Sequence, residues 1–151
     1  MKYEFLNSKD QKPIRKFLLE NYGVEERLPY ALNITPKSDV YAISREVTVL
    51  PLDELKVHQA GIYIGEWKHG RLRLSIEGAQ IVEPLATKNT ITISEKLEKM
   101  WLYGLDLPWE EKDAFEGFAI LKCENGDILG STRYKEERLI NFVPKGRRIH
   151  E

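Results

Sequence analysis

The spacing of apolar residues near the start of the chain predicts an amphipathic helix. The residues that recur at intervals of three and four, and so share one helical face, are Ile14, Phe17, Leu18 and Tyr22. Ser8 or Asp10 can cap this helix, and Gly23 can end it. Pro13 is then expected in the first turn, where its missing N–H does little harm.

The next stretch, residues 24–51, lacks a regular period because Pro29 and Pro36 interrupt it. Within it, residues 39–44 (DVYAIS) are typical of a short buried strand. We expect the remainder of this stretch to be irregular.

Two strand-like runs that follow predict a β-hairpin. Residues 61–67 (GIYIGEW) and 71–75 (RLRLS) are joined by Lys68, His69 and Gly70, which suit a tight turn. In the second arm polar residues alternate with leucines, so one face is expected to be solvated and basic while the other packs inward. A short helix over residues 76–82 and a stop at Pro84 complete this part of the chain.

The second half of the chain predicts a compact series of strands around one helix. The predicted strands are residues 90–93, 118–123, 128–134 and 139–143. Ser94 caps the predicted helix and Gly104 ends it. Its apolar stripe includes Trp101, which we therefore assign to the core. Residues 125–127 (Asn-Gly-Asp) predict a hairpin turn, and residues 106–116 an acidic loop.

Composition limits the class of protein. The chain has 151 residues, 42% of them hydrophobic, which is enough for a packed core. Its formal net charge of −1 argues against binding nucleic acid through bulk charge, so any such surface must be local. No run approaches the roughly 18 to 20 apolar residues of a membrane span, and the first 12 residues lack a signal-peptide core. We expect a cytoplasmic protein without membrane contact.

Signatures of enzymes and of metal sites are absent from the sequence. There is no phosphate-binding glycine loop, nucleophile elbow or dinucleotide-binding fingerprint. The three histidines are not spaced as paired ligands, and the one cysteine, Cys123, lies in an apolar strand without a nearby activating residue. We predict no metal, no cofactor and no catalytic residue, and we assign Cys123 to packing.

Charge is distributed unevenly along the second half of the chain. Residues 104–117 carry five acidic side chains and one lysine. Residues 130–151 carry three acidic side chains and six basic ones, namely Arg133, Lys135, Arg138, Lys145, Arg147 and Arg148. Cations at the edge of a small sheet, with Tyr103, Tyr134 and Phe142 nearby in sequence, suit RNA phosphates and unstacked bases. An ordinary solvated rim with aromatic residues in the core fits the charges equally well.

The order of these elements and several phrases resemble a known family. The segments TITISEKLEKMWLYGLDL, FEGFAILKCENGDILGSTRY and RLINFVPKGRRI are similar to a PUA domain, the small RNA-binding barrel of pseudouridine synthases and archaeosine transglycosylases. More narrowly, they resemble the C-terminal RNA-binding part of Sun-type RNA cytosine-5 methyltransferases, including the Asn141, Pro144, Lys145 and Arg148 tail pattern. Residues 1–87 resemble, more loosely, the subdomain that often precedes a PUA domain.

The resemblance implies a fold and an RNA-binding surface. The implied fold is α+β: a pre-PUA α/β subdomain at residues 1–87, then, at 88–151, a PUA-like mixed β pseudo-barrel with a helix packed across it. Carried onto this sequence, the glycine-bearing loop after the helix is Tyr103, Gly104, Leu105 and Asp106, of which the first three are implied RNA contacts, and the strand glycine is Gly130. The implied RNA-binding set also contains the six basic residues of the C-terminal end.

Two departures from the family bear on function. The catalytic domain is missing, and Cys123 is followed by Glu124 instead of the proline of the methyltransferase motif. Glu116-Gly117 also stands where PUA domains commonly have Gly-Asp, which weakens the case for RNA contact by that loop. We therefore predict a non-catalytic protein.

The predicted function is recognition of structured rRNA or tRNA, beside an RNA-modifying enzyme or during ribosome assembly. One alternative is a protein-binding adaptor for an RNA-modifying enzyme, with the acidic loop facing a basic protein surface. A further alternative is a small enzyme whose active site is assembled from dispersed residues.

Overall fold

Within the described residues, the N-terminal half of the protein contains the first helix and a four-stranded sheet. The computed structural model describes residues 6, 8–44 and 61–150. Helix α1 (Ser8–Tyr22) buries the predicted face, with Ile14, Leu18 and Tyr22 almost inaccessible to solvent. It ends at Gly23, whose positive φ of 69° breaks the helical path.

The N-terminal sheet is antiparallel throughout and follows chain order. Its strands are β1 (Ala31–Ile34), β2 (Asp39–Ile43), β3 (Ile62–Lys68) and β4 (Arg71–Leu74). The β3–β4 turn places His69 and Gly70 at φ values of 54° and 72°, as a two-residue hairpin turn requires. Helix α2 (Ile76–Val82) follows at the predicted residues, capped by the Ser75 hydroxyl.

The C-terminal half is a curled five-stranded sheet of mixed direction with a helix packed against it. The strands are β5 (Thr90–Ile93), β6 (Leu107–Pro108), β7 (Phe118–Cys123), β8 (Ile128–Lys135) and β9 (Arg138–Leu139), in the order β5-β7-β8-β9-β6. Helix α3 (Glu95–Leu102) is capped by Ser94 and buries Trp101 against this sheet. The predicted α+β class and the position of Trp101 are confirmed.

Several predicted elements need correction. Pro13 is not in the first turn of α1, because the helix already begins at Ser8. Residues 31–34 form a strand that the sequence did not predict. The last predicted strand, 139–143, is too long, since β9 has only two residues before the chain leaves the sheet. The acidic loop contains the short strand β6 and a 3-10 turn, Glu111–Asp113.

The two halves share packing. Phe118 and Ile120 of β7 are buried in the same cluster as α1 and the N-terminal sheet, with Phe142 packed at its edge. A second cluster lies inside the C-terminal half and includes Trp101, Leu121 and Leu139. The proposed boundary between residues 87 and 88 stays a prediction.

Candidate nucleic-acid interface

A cleft with five lysine and arginine side chains among its described lining residues lies where the two halves meet. It has a volume of about 440 Å³ and combines the β3–β4 hairpin with β8 and the segment after β9. We call it the basic cleft. Its lining residues are Glu66, Lys68, His69, Arg71, Arg73, Phe118, Arg133, Lys135, Ile140 and Phe142.

Strand register explains how the N-terminal hairpin contributes its cations. Arg71 and Arg73 alternate with the buried leucines of β4, so both are exposed on one face. Lys68 is directly opposite Arg71, and Glu66 directly opposite Arg73. Directly opposed residues of an antiparallel pair share a face, so all four side chains lie on the same side of the hairpin.

Strand β8 supplies the other wall of the basic cleft. Arg133 and Lys135 are both exposed and two residues apart, so they lie on one face of β8. Arg133 is the register partner of Phe118. The Ser131 hydroxyl, two residues before Arg133, donates a 2.7 Å hydrogen bond to the carbonyl oxygen of Leu74. This bond joins β8 to the end of β4.

The basic cleft has a strong local excess of positive charge. Among the residues that the structure describes, five lysine and arginine side chains and one carboxylate, that of Glu66, line it. None of the five takes part in an ion pair with another described residue. Such unpaired, exposed cations are available to neutralise phosphates.

An aromatic ring gives the basic cleft a second kind of binding group. The Arg73 guanidinium lies 5.0 Å from the centre of the Phe142 ring, a cation–π arrangement. Phe142 is half-buried and packs at 6.3 Å from the ring of Phe118. Arg73 is thereby held in place without losing its charge to a carboxylate.

A second concavity adjoins the basic cleft and shares Arg73 and Phe142 with it. This junction cavity, about 550 Å³ in volume, lies between the β3–β4 hairpin, the start of α2, β8 and the C-terminal tail. Arg147 of the tail pairs there with Glu77 of α2. The tail is therefore fastened to the N-terminal half beside the cavity.

The structure divides the predicted RNA-binding residues among several places. Only Arg133 and Lys135 line the basic cleft. Gly130 is buried, has a φ of 127° and lines the junction cavity with Arg147. Lys145 is exposed in a 3-10 turn, Lys145–Arg147, at the tail.

The loop after α3 forms a separate group. Arg148 packs over Gly104, and a Cβ added at that glycine would overlap its side chain. The Arg148 Nε also donates to the carbonyl oxygen of Val143, 3.1 Å away. The open glycine face expected from the resemblance is thus covered by the chain's own tail.

The remaining predicted residues of this region lie on the surface around the loop. Tyr103 is half-buried and Leu105 is exposed in this loop. The exposed Arg138 lies in another concavity, together with Leu105 and Asp106.

Sequence reasoning placed Lys68 and His69 only in a turn and did not identify them as site residues. Arg71 and Arg73 were expected on a basic face, and that is where they lie. The sequence could not show that this face meets β8, because the contact joins strands about 60 positions apart in the chain.

Other candidate chemistry remains inside the fold. Cys123 is buried, and its Sγ lies within hydrogen-bond distance of the Asn125 Oδ1. Within the described ranges, no three His, Cys, Asp or Glu side chains are grouped to hold a metal ion. No helix in that part of the chain is long and apolar enough to span a membrane.

Comparison with known proteins identifies the C-terminal half. Residues 88–149 match a family model described as the methyltransferase RsmF PUA domain. The match confirms the resemblance to the C-terminal region of Sun-type methyltransferases. No curated protein matches the chain. The β8 wall of the basic cleft lies inside the matched residues, whereas the β3–β4 wall precedes them.

Proposed function

We propose that this protein, whose residues 88–149 match the model of the methyltransferase RsmF PUA domain, binds structured rRNA or tRNA through the basic cleft without catalysing a reaction. PUA domains imply RNA binding, and this type implies a setting of rRNA modification. The proposed role is to present RNA to a separate modifying enzyme. A cytoplasmic location stays a prediction.

The basic cleft is the observation that carries the proposal. RNA binding draws on cations that neutralise phosphates and on planar groups that stack on exposed bases. The cleft brings both together, with four further unpaired cations around the Arg73–Phe142 stack. Both halves of the protein supply cations, so the PUA-type domain and the N-terminal hairpin act as one surface.

The proposal of a non-catalytic role rests on the sequence. The chain carries neither a cofactor-binding signature nor the cysteine-proline motif of the methyltransferases it resembles. Cys123, its one thiol, is buried in β7. The purified protein alone should leave RNA unmodified, whereas adding it back to cell extract depleted of it should restore the modification that depletion removed. Modification by the purified protein alone would contradict the role of a binding partner.

The alternative function is an adaptor that binds a protein. The acidic segment at residues 106–116 favours it, since Glu110, Glu111, Asp113 and Glu116 are exposed. Carboxylates repel RNA and suit a basic protein surface. A protein partner that is retained after nuclease treatment, with no RNA recovered, would favour this function over RNA binding.

The proposed function is tested by the salt dependence of RNA binding. The variant combines Arg71→Ala with Arg133→Ala, which removes one cation from each wall of the cleft. Each phosphate contact contributes about 0.7 to 0.9 to the magnitude of the slope of log affinity against log salt, so this magnitude should fall by about 1.4 to 1.8. The probe is an rRNA or tRNA hairpin with a single-stranded loop.

The matched control combines Lys9→Ala with Lys12→Ala, which removes the same charge from exposed positions on α1 outside the cleft lining. Its slope should equal that of the wild type. Equal slopes for the cleft variant and the wild type would contradict the proposal. A larger decrease in the slope for the double variant Arg147→Ala, Arg148→Ala would indicate that the RNA binds the tail instead.

A further inference from the structure

The junction cavity differs in charge from the basic cleft beside it. Its charged lining residues are Arg73, Arg147 and Glu77. Arg147 is paired with Glu77, and Arg73 is stacked on Phe142. Arg73 alone is left without a carboxylate, so the described lining of the cavity has one more cation than carboxylates, whereas that of the cleft has four more. A phosphate is favoured in the cleft and an uncharged group in the cavity.

The walls of the cavity combine apolar surface with a few polar groups. Its apolar lining includes Trp101, Leu129 and Val143 of the C-terminal half, together with Ile76 of the N-terminal half. Its volume of about 550 Å³ lies within the range of small-molecule sites. A flat heterocycle could be held between such walls.

Hydroxyl groups at the cavity have spare hydrogen-bonding capacity. Ser75 Oγ donates to the carbonyl oxygen of Tyr63 at 2.7 Å, and Ser131 Oγ donates to that of Leu74. Each oxygen can still accept a hydrogen bond. The Tyr63 phenol is protonated at neutral pH and can donate a hydrogen bond; burial, and to a lesser extent the Asp39 carboxylate, raises its pKa further above the ordinary value of 10.0.

We propose that the junction cavity receives one unstacked base of an RNA whose phosphates lie in the basic cleft. The two concavities share the Arg73–Phe142 stack as a common wall, so a nucleotide can have its phosphate on one side and its base on the other. Proteins recognise single-stranded RNA by stacking splayed bases on aromatic rings or arginine planes. This inference rests on the proposed function and specifies which part of the RNA is recognised.

The first test compares two probes of equal length and charge. One is a single-stranded oligoadenylate of about eight nucleotides, within the usual site size, and the other is the same backbone without bases. Stacking of a base corresponds to about 5- to 150-fold in affinity, so the wild type should bind the oligoadenylate at least about fivefold more tightly. In Ile76→Trp, which fills the cavity, that ratio should approach one while binding of the base-free backbone is unchanged.

The control is Gln80→Trp, at an exposed position of α2 outside the cavity lining. It should keep the wild-type ratio. Thermal unfolding of both variants shows whether each is folded. An unchanged ratio in folded Ile76→Trp, or equal affinity of the wild type for both probes, would overturn the inference while leaving the proposed function intact. If the wild type bound neither probe and no RNA hairpin, both proposals would fail.

A second measurement needs no variant. Adenosine, which has a base and no phosphate, is titrated into the wild-type protein while backbone amide signals are followed by nuclear magnetic resonance. We expect saturable changes at Ser75, Gly130 and Ser131, which line the cavity. Changes confined to other residues, or none, would overturn the inference.

Discussion

The side-chain amide of Asn21 pairs with the backbone of Phe118 as a neighbouring strand would. Its Oδ1 accepts a 3.0 Å hydrogen bond from the Phe118 N–H, and its Nδ2 donates a 2.9 Å bond to the Phe118 carbonyl oxygen. The backbone carbonyl oxygen of Asn21 also accepts from Asn89 Nδ2. The last turn of α1 is thereby bonded to the start of β7 at Phe118, which is itself the register partner of Arg133 in the basic cleft.

Replacement of Asn21 by alanine should destabilise the whole chain. Both Phe118 bonds would be lost, and each contributes about 0.5 to 1.5 kcal/mol, so we expect a loss of about 2 kcal/mol in the free energy of unfolding. Urea denaturation measures it. Because Phe118 and Ile120 are buried in the N-terminal cluster, the variant should still unfold in one transition.

The control for this variant is Glu20→Ala, at an exposed neighbouring position of α1. It should change the free energy of unfolding by less than about 0.5 kcal/mol, as expected of surface substitutions. If Asn21→Ala were as mild as Glu20→Ala, the pairing with Phe118 would not hold the halves together.

Gly117 is expected to be intolerant of a side chain for a related reason. Its φ is 79°, and a Cβ there would overlap Asn21 Oδ1. Gly126 also has a positive φ, of 95°, but a Cβ there would meet open space. Gly126→Ala therefore introduces only backbone strain, whereas Gly117→Ala introduces backbone strain and also displaces the Asn21 side chain.

Urea denaturation of the two alanine variants separates these costs. Gly117→Ala should lose at least about 1 kcal/mol more than Gly126→Ala, because it disturbs the two hydrogen bonds of Asn21 as well. Equal losses would mean that Asn21 moves away at no cost.

Most of the local structure could be predicted because local patterns determine it. Strand β7 and helix α2 begin and end at the predicted residues, and the Asn125–Asp127 turn joins β7 to β8 as expected. Strand β1 was missed because it lies between Pro29 and Pro36 and has four residues, too few to show a period. After β9 the described residues make no further strand pairing. The Asn141 side chain fixes the chain instead by donating hydrogen bonds to the backbone carbonyl oxygens of Trp101 and Leu105.

The candidate site was less predictable, since it depends on contacts between distant segments. The sequence identified Arg133 and Lys135 as cations and Arg71 and Arg73 as a basic face, but their convergence depends on the packing of β4 beside β8. It also grouped Arg147 with them. In the structure the Arg147 guanidinium is paired with Glu77. Glu77 lies 70 residues earlier in the chain, so the sequence could not reveal this ion pair.

The buried hydroxyl of Tyr22 should reduce stability. Tyr22 is inaccessible to solvent, and its oxygen has no hydrogen-bond partner among the described residues. An unsatisfied buried hydroxyl costs about 1 to 3 kcal/mol, so Tyr22→Phe should raise the free energy of unfolding by about 1 kcal/mol at neutral pH. Urea denaturation at pH 7 measures this, and a destabilised variant would contradict it.

At alkaline pH the difference in the free energy of unfolding between the wild type and Tyr22→Phe should increase. Burial raises the pKa of Tyr22 above its ordinary value of 10.0. Above about pH 10 the unfolded phenol loses its proton while the folded one keeps it, so the wild type should lose about 1.4 kcal/mol per pH unit from this residue. Tyr22→Phe has no phenol to ionise, so its free energy of unfolding should not show this decrease. Parallel decline of both proteins from about pH 9 to pH 11 would argue against the buried environment of this hydroxyl.

Glu66 should weaken RNA binding, because it is the one carboxylate that lines the basic cleft and lies opposite Arg73. Glu66→Gln keeps the shape of the side chain and removes its charge. One exposed charge contributes about 0.2 to 1 kcal/mol, so affinity for an RNA hairpin should rise by up to about fivefold at low salt. Screening should reduce the gain at high salt.

The control for Glu66→Gln is Glu124→Gln, which makes an equal change of charge. Glu124 lies at the exposed β7–β8 turn, at the opposite end of β7 from Phe118. A similar gain in both variants would indicate a response to net charge and not to the cleft.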